Sequence, residues 1–241
     1  MQPESMKTEG GYRLVSLDYS QIELRLLAHM ANVQPLIEAF RQGKDIHKVT
    51  ASQIFSIPVE QVDTAQRRQA KTINFGIIYG ISPFGLSQQL SVPTSQANQI
   101  IRAYFEQYPG IEVYMEQYKS MARDKSYVET LWGRRCHTPG INDRNPNIRH
   151  SAERQAINAP LQGSSADIIK QAMRKIYDFL KKANSKTRLV LQVHDELLFE
   201  IPCAEVEETI PTLQSLMEGV VTLSVPLVVD AGVGNNWDEA H

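Results

Sequence analysis

The alternation of apolar and polar positions places strands at the two ends of the 241-residue chain and helices between them. Residues 12–17 read as a strand, and Ser20 then opens a helix that continues to about Met30. Ser20 and Glu23 fit the S-x-x-E capping box, in which each side chain bonds the other's backbone N–H. Apolar residues over 45–55 recur at helical spacing, and Asp63 or Thr64 can cap a further helix ending near Tyr79. Turn signals gather at Pro83, Gly85, Pro93 and Thr94, and two helical stretches follow at 95–107 and 110–125. Residues 128–150 are the least regular. The helical pattern over 151–182 contains Pro160, which removes a backbone donor and predicts a kink. Residues 189–193 and 197–201 are strand candidates around the tip His194-Asp195-Glu196, with a helix over 204–219 and a last strand over 225–230.

This order predicts an α+β fold, a small antiparallel sheet carrying an inserted helical region, and the chain is long enough to bury a sizeable core. A net charge of −2 by itself argues against a nucleic-acid partner, but the distribution of charge argues for one. All 25 Lys and Arg lie at or before Arg188, against 17 acidic residues there, a surplus of eight positive charges. The asymmetry predicts a basic surface for phosphate and a separate acidic region; a solvated acidic helix accounts for part of the latter. Cys136 and Cys203 lack metal-ligand spacing and read as packing thiols in a reducing compartment. The polar start MQPESMKTEGG has no apolar signal region, and no apolar run reaches membrane-span length. A cytoplasmic protein without a membrane partner is expected.

Three stretches carry candidate chemistry. Asp18, in Leu17-Asp18-Tyr19-Ser20-Gln21-Ile22-Glu23-Leu24-Arg25, stands where a strand gives way to a helix. Asp195, 177 residues later, stands beside another strand-like run. If those strands are neighbours, the two carboxylates can hold two Mg²⁺ ions roughly 3.5–4 Å apart. Glu196 reads equally well as a tip residue exposed to water. Between them, Arg67, Lys71, Phe75 and Tyr79 recur every fourth position and share one helical stripe. A solvated face does not add Phe and Tyr to such a stripe, and a core face does not hold its cations. The mixture suits a triphosphate lying along the helix, with base and sugar at the aromatic end. Arg154, Asn158 and Gln162 repeat the same spacing, as suits sequence-tolerant minor-groove contacts or a solvated face.

Together and in this order, the stretches resemble the carboxy-terminal polymerase region of family A DNA polymerases, from about Tyr12 to His241. The resemblance implies a template-directed DNA polymerase region, part of a longer monomeric chain, adding deoxynucleotides to a primer 3′-hydroxyl with two Mg²⁺ held by Asp18 and Asp195. Its partners would be primed template DNA and deoxynucleoside triphosphates, in DNA replication or repair. Residues 1–30 and 151–241 would form parts of the palm and 31–150 the fingers, with the thumb absent. Arg67 and Lys71 would grip the phosphates, Lys71 also protonating pyrophosphate. Phe75 would pack on the incoming sugar, Tyr79 would stack near the templating position, and Gln21 and His47 would complete the nucleotide site. Gly76 and Gly80 would clear space for a close approach of backbone and base. Glu23 would be the steric gate against a ribose 2′-hydroxyl, and Glu196 would lie near the metals. Arg68, His194, Arg134 and Arg135 would contact template, primer end or phosphate. Cys136-His137-Thr138 departs from the family pattern. Two alternatives stand beside this one: a phage-type single-subunit RNA polymerase, against which Glu23 argues, and a primed-DNA-binding module without catalysis.

Overall fold

The computed structural model describes residues 11–241 and divides into two compact units. One joins the residues up to Leu24 with Ser165–His241, and the other is Arg25–Ser164. The polar amino-terminal start read above falls almost wholly in residues 1–10, outside the described residues.

The first unit is built on a four-stranded antiparallel sheet of order β4-β5-β1-β6, numbered along the chain: β1 Tyr12–Tyr19, β4 Arg188–Val193, β5 Glu196–Pro202 and β6 Val229–Gly234. In β1 the four consecutive residues Leu14, Val15, Ser16 and Leu17 are buried, as a central strand covered on both faces requires. The edge strand β4 alternates exposed and half-buried residues. Helix α9 (Val206–Glu218) packs on the sheet through Leu213 and Met217, and the Tyr19 hydroxyl donates to the Met217 carbonyl at 2.8 Å. A short carboxy-terminal helix, α10 (Trp237–Ala240), was not foreseen. It lies so close to β6 that a Cβ on Gly232 would overlap the Ala240 carbonyl oxygen.

Three expectations are corrected here. The last strand is 229–234 rather than 225–230. Val225, at a bend, and Leu227 are buried apolar residues outside the strand, so their alternation reports packing and not a ladder. β1 extends through Tyr19, which puts Asp18 inside the strand. Helix α1 (Ile22–Met30) starts one residue later than a Ser20 cap implies, and Gln21 adopts a left-handed φ of 53°. Gln21 would be the first helical residue of a Ser20–Glu23 capping box, so that box does not describe the helix start. Glu23 lies instead in the first turn, where its charge complements the helix dipole.

The second unit is helical. Helix α2 (Gln34–Arg41), unforeseen, buries Leu36, Ile37, Ala39 and Phe40. Helices α3 (Ile46–Phe55) and α4 (Thr64–Ile78) are capped by Asp45 and Asp63. The turn signal at Pro83 is in fact the first residue of helix α5 (Pro83–Leu90): Ser82 caps it, and proline's missing N–H costs nothing at a helix start. Helices α6 (Thr94–Gln107) and α7 (Pro109–Lys125) follow the prediction, and the irregular segment holds a small hairpin, β2 (Tyr127–Glu129) with β3 (Arg135–His137). Helix α8 runs unbroken from Pro146 to Lys182, its first part in this unit and the rest in the other. Pro160 lies inside it, itself buried, and does not interrupt it.

Candidate active site

Strand pairing assembles the carboxylates. Asp18 on β1 stands opposite Glu196 on β5 and, on its other flank, opposite Asp230 on β6. Directly opposite residues present their side chains to the same face of a sheet, so three acids share one face. Asp195 is the second residue of the two-residue turn joining β4 to β5, and its carbonyl accepts from the Tyr19 N–H at 3.2 Å. His194, the first turn residue, has a φ of +52°, matching a hairpin whose turn follows the strand twist. One strand pairing thus brings the two aspartates near each other.

The electrostatics follow from that crowding. Burial, then the charges of Asp195 and Glu196, push the Asp18 carboxyl up to about 6, with Asp230 adding to the effect and His241 opposing it. A cation placed among these oxygens would relieve the repulsion. No group of three or more His, Cys, Asp or Glu among the described residues is arranged to hold a metal. A pair such as Asp18 and Asp195 would offer an open donor set rather than a closed cage. Such a pair fits Mg²⁺, which takes one or two carboxylates and fills its remaining positions with water and substrate phosphate.

Glu196 does not sit at a wet tip, as its place in the sequence suggested. It is the first residue of β5 and 5% exposed. Its Oε1 accepts from the Trp237 indole N–H at 2.8 Å, and His241 Nδ1 lies 3.6 Å from Oε2. The carboxy-terminal segment thus bonds one oxygen and approaches the other. Gln21 Oε1 is buried without a hydrogen-bond partner, a cost that a bound ligand would remove. Glu23 is half-buried in the first turn of α1.

In the second unit, α4 begins with a reciprocal capping box between Asp63 and Gln66. Arg67, Lys71 and Phe75 follow along one stripe, and Tyr79 occupies its carboxy-terminal cap. Arg67 Nε lies 2.6 Å from Asp45 Oδ2, and the same carboxylate caps α3 by accepting from the N–H groups of His47 and Lys48. Burial works to raise Asp45, but the Arg67 and Lys48 hydrogen bonds outweigh it and leave the carboxyl below its ordinary value. His47 is only 2% exposed; burial, reinforced by Arg67 and Lys71 against Asp45, pulls its ring down to about 4, so it is neutral near pH 7. The rings of His47, Phe75 and Tyr79 form a row, with centroids 5.9 and 6.1 Å apart. Beside Phe75 and Tyr79 is an open cleft of about 420 Å³, lined also by Gly76, Ile81, Gln89 and Arg154. Arg68 is exposed and off the stripe.

The glycines expected to clear space for a base also have neighbours of their own. Gly80 has a φ of +70°, and a Cβ there would meet Arg154 Cγ at 3.1 Å. A Cβ on Gly76 would come 3.2 Å from Ile81 Cγ2. Arg154 and Gln162 are exposed on α8, while Asn158 between them has a buried Oδ1 without a partner. Arg134 Nη2 donates to the Gly163 carbonyl at 2.8 Å, tying the hairpin to α8. Arg135 lies over the Tyr127 ring at 4.7 Å and 3.9 Å from Glu129. Sequence reasoning missed Asp45, Asn74, Asp230 and Trp237. Only Asp45 had a visible signal, as an acid just before a helical pattern.

The model of DNA polymerase family A matches residues 5–239. DNA polymerase I of Rhizobium leguminosarum is 53% identical over 237 residues, covering 96% of this chain and 23% of that protein. The Pseudomonas aeruginosa and Thermus thermophilus enzymes are 49% and 46% identical, covering 96% and 95% of this chain. The chain spans about a quarter of the length of these relatives. Among solved structures, the POL domain of Pol1 from M. smegmatis, in complex with DNA primer-template and dNTP, superposes with a TM-score of 0.94 at 40% identity. That match covers 99% of this chain and 42% of the other. The carboxylate sheet, the cationic and aromatic helix, and these similarities agree, and the chain belongs to DNA polymerase family A.

Proposed function

We propose that this chain is the palm and fingers part of a template-directed DNA polymerase that adds deoxynucleotides to a primer 3′-hydroxyl. In this reading the sheet-bearing unit is the palm and the helical unit the fingers. The observation that carries it is the pairing of β1 with β5, which crowds Asp18, Asp195 and Glu196 until the Asp18 carboxyl resists ionising. Asp18 and Asp195 would hold two Mg²⁺. When bound, these would supply the Lewis acidity that makes the 3′-hydroxyl a nucleophile and balances charge on the departing pyrophosphate.

The chain's own residues do the rest. Arg67, steadied by Asp45, and Lys71, exposed one turn later, neutralise the triphosphate, and Lys71 gives a proton to the leaving pyrophosphate. Phe75 and Tyr79 present ring faces to sugar and base. His47 adds a neutral donor and Gln21 an unused acceptor. Glu23 closes the space a 2′-hydroxyl would need. Glu196, one oxygen bonded by the Trp237 indole, stands opposite Asp18 without ligating metal. Arg154, Asn158 and Gln162 take the minor groove, while Arg68, His194, Arg134 and Arg135 take template, primer end and phosphates.

Primer extension with the separate variants Asp18→Asn, Asp195→Asn and Glu196→Gln tests this. The aspartate variants are expected to lose extension by about a thousandfold or more, since each removes a charge the transition state needs. Primed-DNA affinity should stay within about threefold, as phosphate contacts elsewhere carry it. Glu196→Gln should lose far less. An aspartate variant that extends primers at the parent rate overturns the assignment.

A further inference from the structure

Asn74 immediately precedes Phe75 on α4 and is 1% exposed. An amide so deeply buried is tolerated when its donor and acceptor are both satisfied. Its Oδ1 accepts from Thr50 Oγ1 at 3.1 Å, and its Nδ2 lies 3.0 Å from His47 Nδ1. His47 and Thr50 sit three residues apart on α3, 2% and 1% exposed. One turn of α3 therefore offers a hydroxyl and a ring nitrogen to the two ends of a single amide on α4.

This arrangement fixes proton positions. With the Thr50 hydroxyl donating to Oδ1, the amide NH₂ faces His47, and an NH₂ group can only donate. Nδ1 must accept. A neutral imidazole carries one proton, which then resides on Nε2. The charged groups acting on the ring are Asp45 at the start of α3 and Arg67 and Lys71 on α4. The latter two are the cations read above as the triphosphate grip. The opposite tautomer would turn a lone pair on Nε2 toward a phosphate oxygen, and a doubly protonated ring would set Nδ1–H against the amide NH₂.

We infer that Asn74 is a positioning residue: through the buried Thr50–Asn74–His47 chain it fixes His47 as the Nε2–H tautomer, giving a nucleotide phosphate a neutral donor. The inference rests on the reading of α4 as the nucleotide helix. It goes beyond that reading by assigning a task to a residue with no access to the nucleotide.

Two measurements test it. Imidazole ¹⁵N spectra of the nucleotide-free chain should place the His47 proton on Nε2, and Asn74→Leu, close in volume, should release that preference. Titration with dTTP and Mg²⁺ should then show about tenfold weaker binding in Asn74→Leu, the order of one hydrogen bond to a charged group. In a His47→Gln background, where an amide N–H replaces Nε2–H without needing a tautomer, Asn74→Leu should change dTTP binding by less than about twofold. A parent chain protonated on Nδ1 overturns the relay. Equal weakening in both backgrounds reduces Asn74 to helix packing. If the parent holds its proton on Nε2 yet binds no dTTP, the nucleotide reading of α4 fails, and with it the role given to the relay, while the hydrogen-bond chain itself stands.

Discussion

Asp18 combines two demands that conflict without a cation: it is half-buried, and it shares a sheet face with other acids. Its folded-state value of about 6 is above the 3.8 of an ordinary Asp, so the folded chain binds more protons than the unfolded one between those limits. The stability this group contributes is therefore complete below about pH 4 and lost as pH rises through about 6. Mg²⁺ should raise the thermal midpoint at about pH 7.5 and leave it nearly unchanged at about pH 4.5, where protonated Asp18 offers no charge. Asp18→Asn should abolish most of that difference, and scanning calorimetry with Mg²⁺ against EDTA reads it without any catalysis. Glu23 poses a separate question at the same scale. Glu23→Ala should raise the ratio of ribonucleotide to deoxynucleotide kcat/KM by about tenfold or more if it is the sugar gate. An unchanged ratio with only a lower midpoint would make it a first-turn acid serving the helix dipole.

Elements in this chain are set by their ends. The Asp63–Gln66 box fixes where α4 starts and hence which residues share the Arg67 stripe. Asp63→Ala should cost about 1 kcal/mol in urea unfolding, with little change in nucleotide binding, because its cap lies a full turn before Arg67. At the other end, Gly80 has a positive φ and a tight approach to Arg154. Gly80→Ala should destabilise by about 1–2 kcal/mol through backbone strain alone. It should also weaken primed-DNA binding by displacing Arg154. These two ends were legible to different degrees. An Asp with a Gln three residues on is a local pattern, whereas the Arg154 contact joins residues 74 positions apart. The misread turn at Pro83 shows the same limit, since proline ends one helix and begins another by identical chemistry and Ser82 decides which.

For the whole molecule, charge sorts along the chain: the basic surplus ends at Arg188 and the acidic residues dominate after it. Primed-DNA affinity should fall steeply with salt, each phosphate contact contributing about −0.9 to the log–log slope. Arg68→Ala and Arg154→Ala should each flatten that slope by about one if they touch phosphate, and leave it unchanged if they read bases or bond water. The chain spans about a quarter of its relatives. Joined to the further segments of such a relative, it should gain duplex affinity and processivity far more than nucleotide affinity. Equal gains in both would mean that those segments shape the α4 site as well.

The local chemistry was legible along the chain: the Arg67–Lys71–Phe75 stripe, the helix cap at Asp63, the hairpin before and after His194-Asp195, and the α+β order of elements. All of these follow from periodicity and near-neighbour hydrogen bonds, which act over a few residues. The fold, by contrast, put Asp18 opposite Glu196 and Asp230, because strand register is chosen by the whole sheet and no residue of β1 encodes its partners. It also moved Glu196 from water into a buried pair with Trp237, and joined Asn74 to His47 and Thr50 across two helices. A buried polar group is satisfied by whatever the fold brings within reach, and that distance is measured in space rather than along the chain.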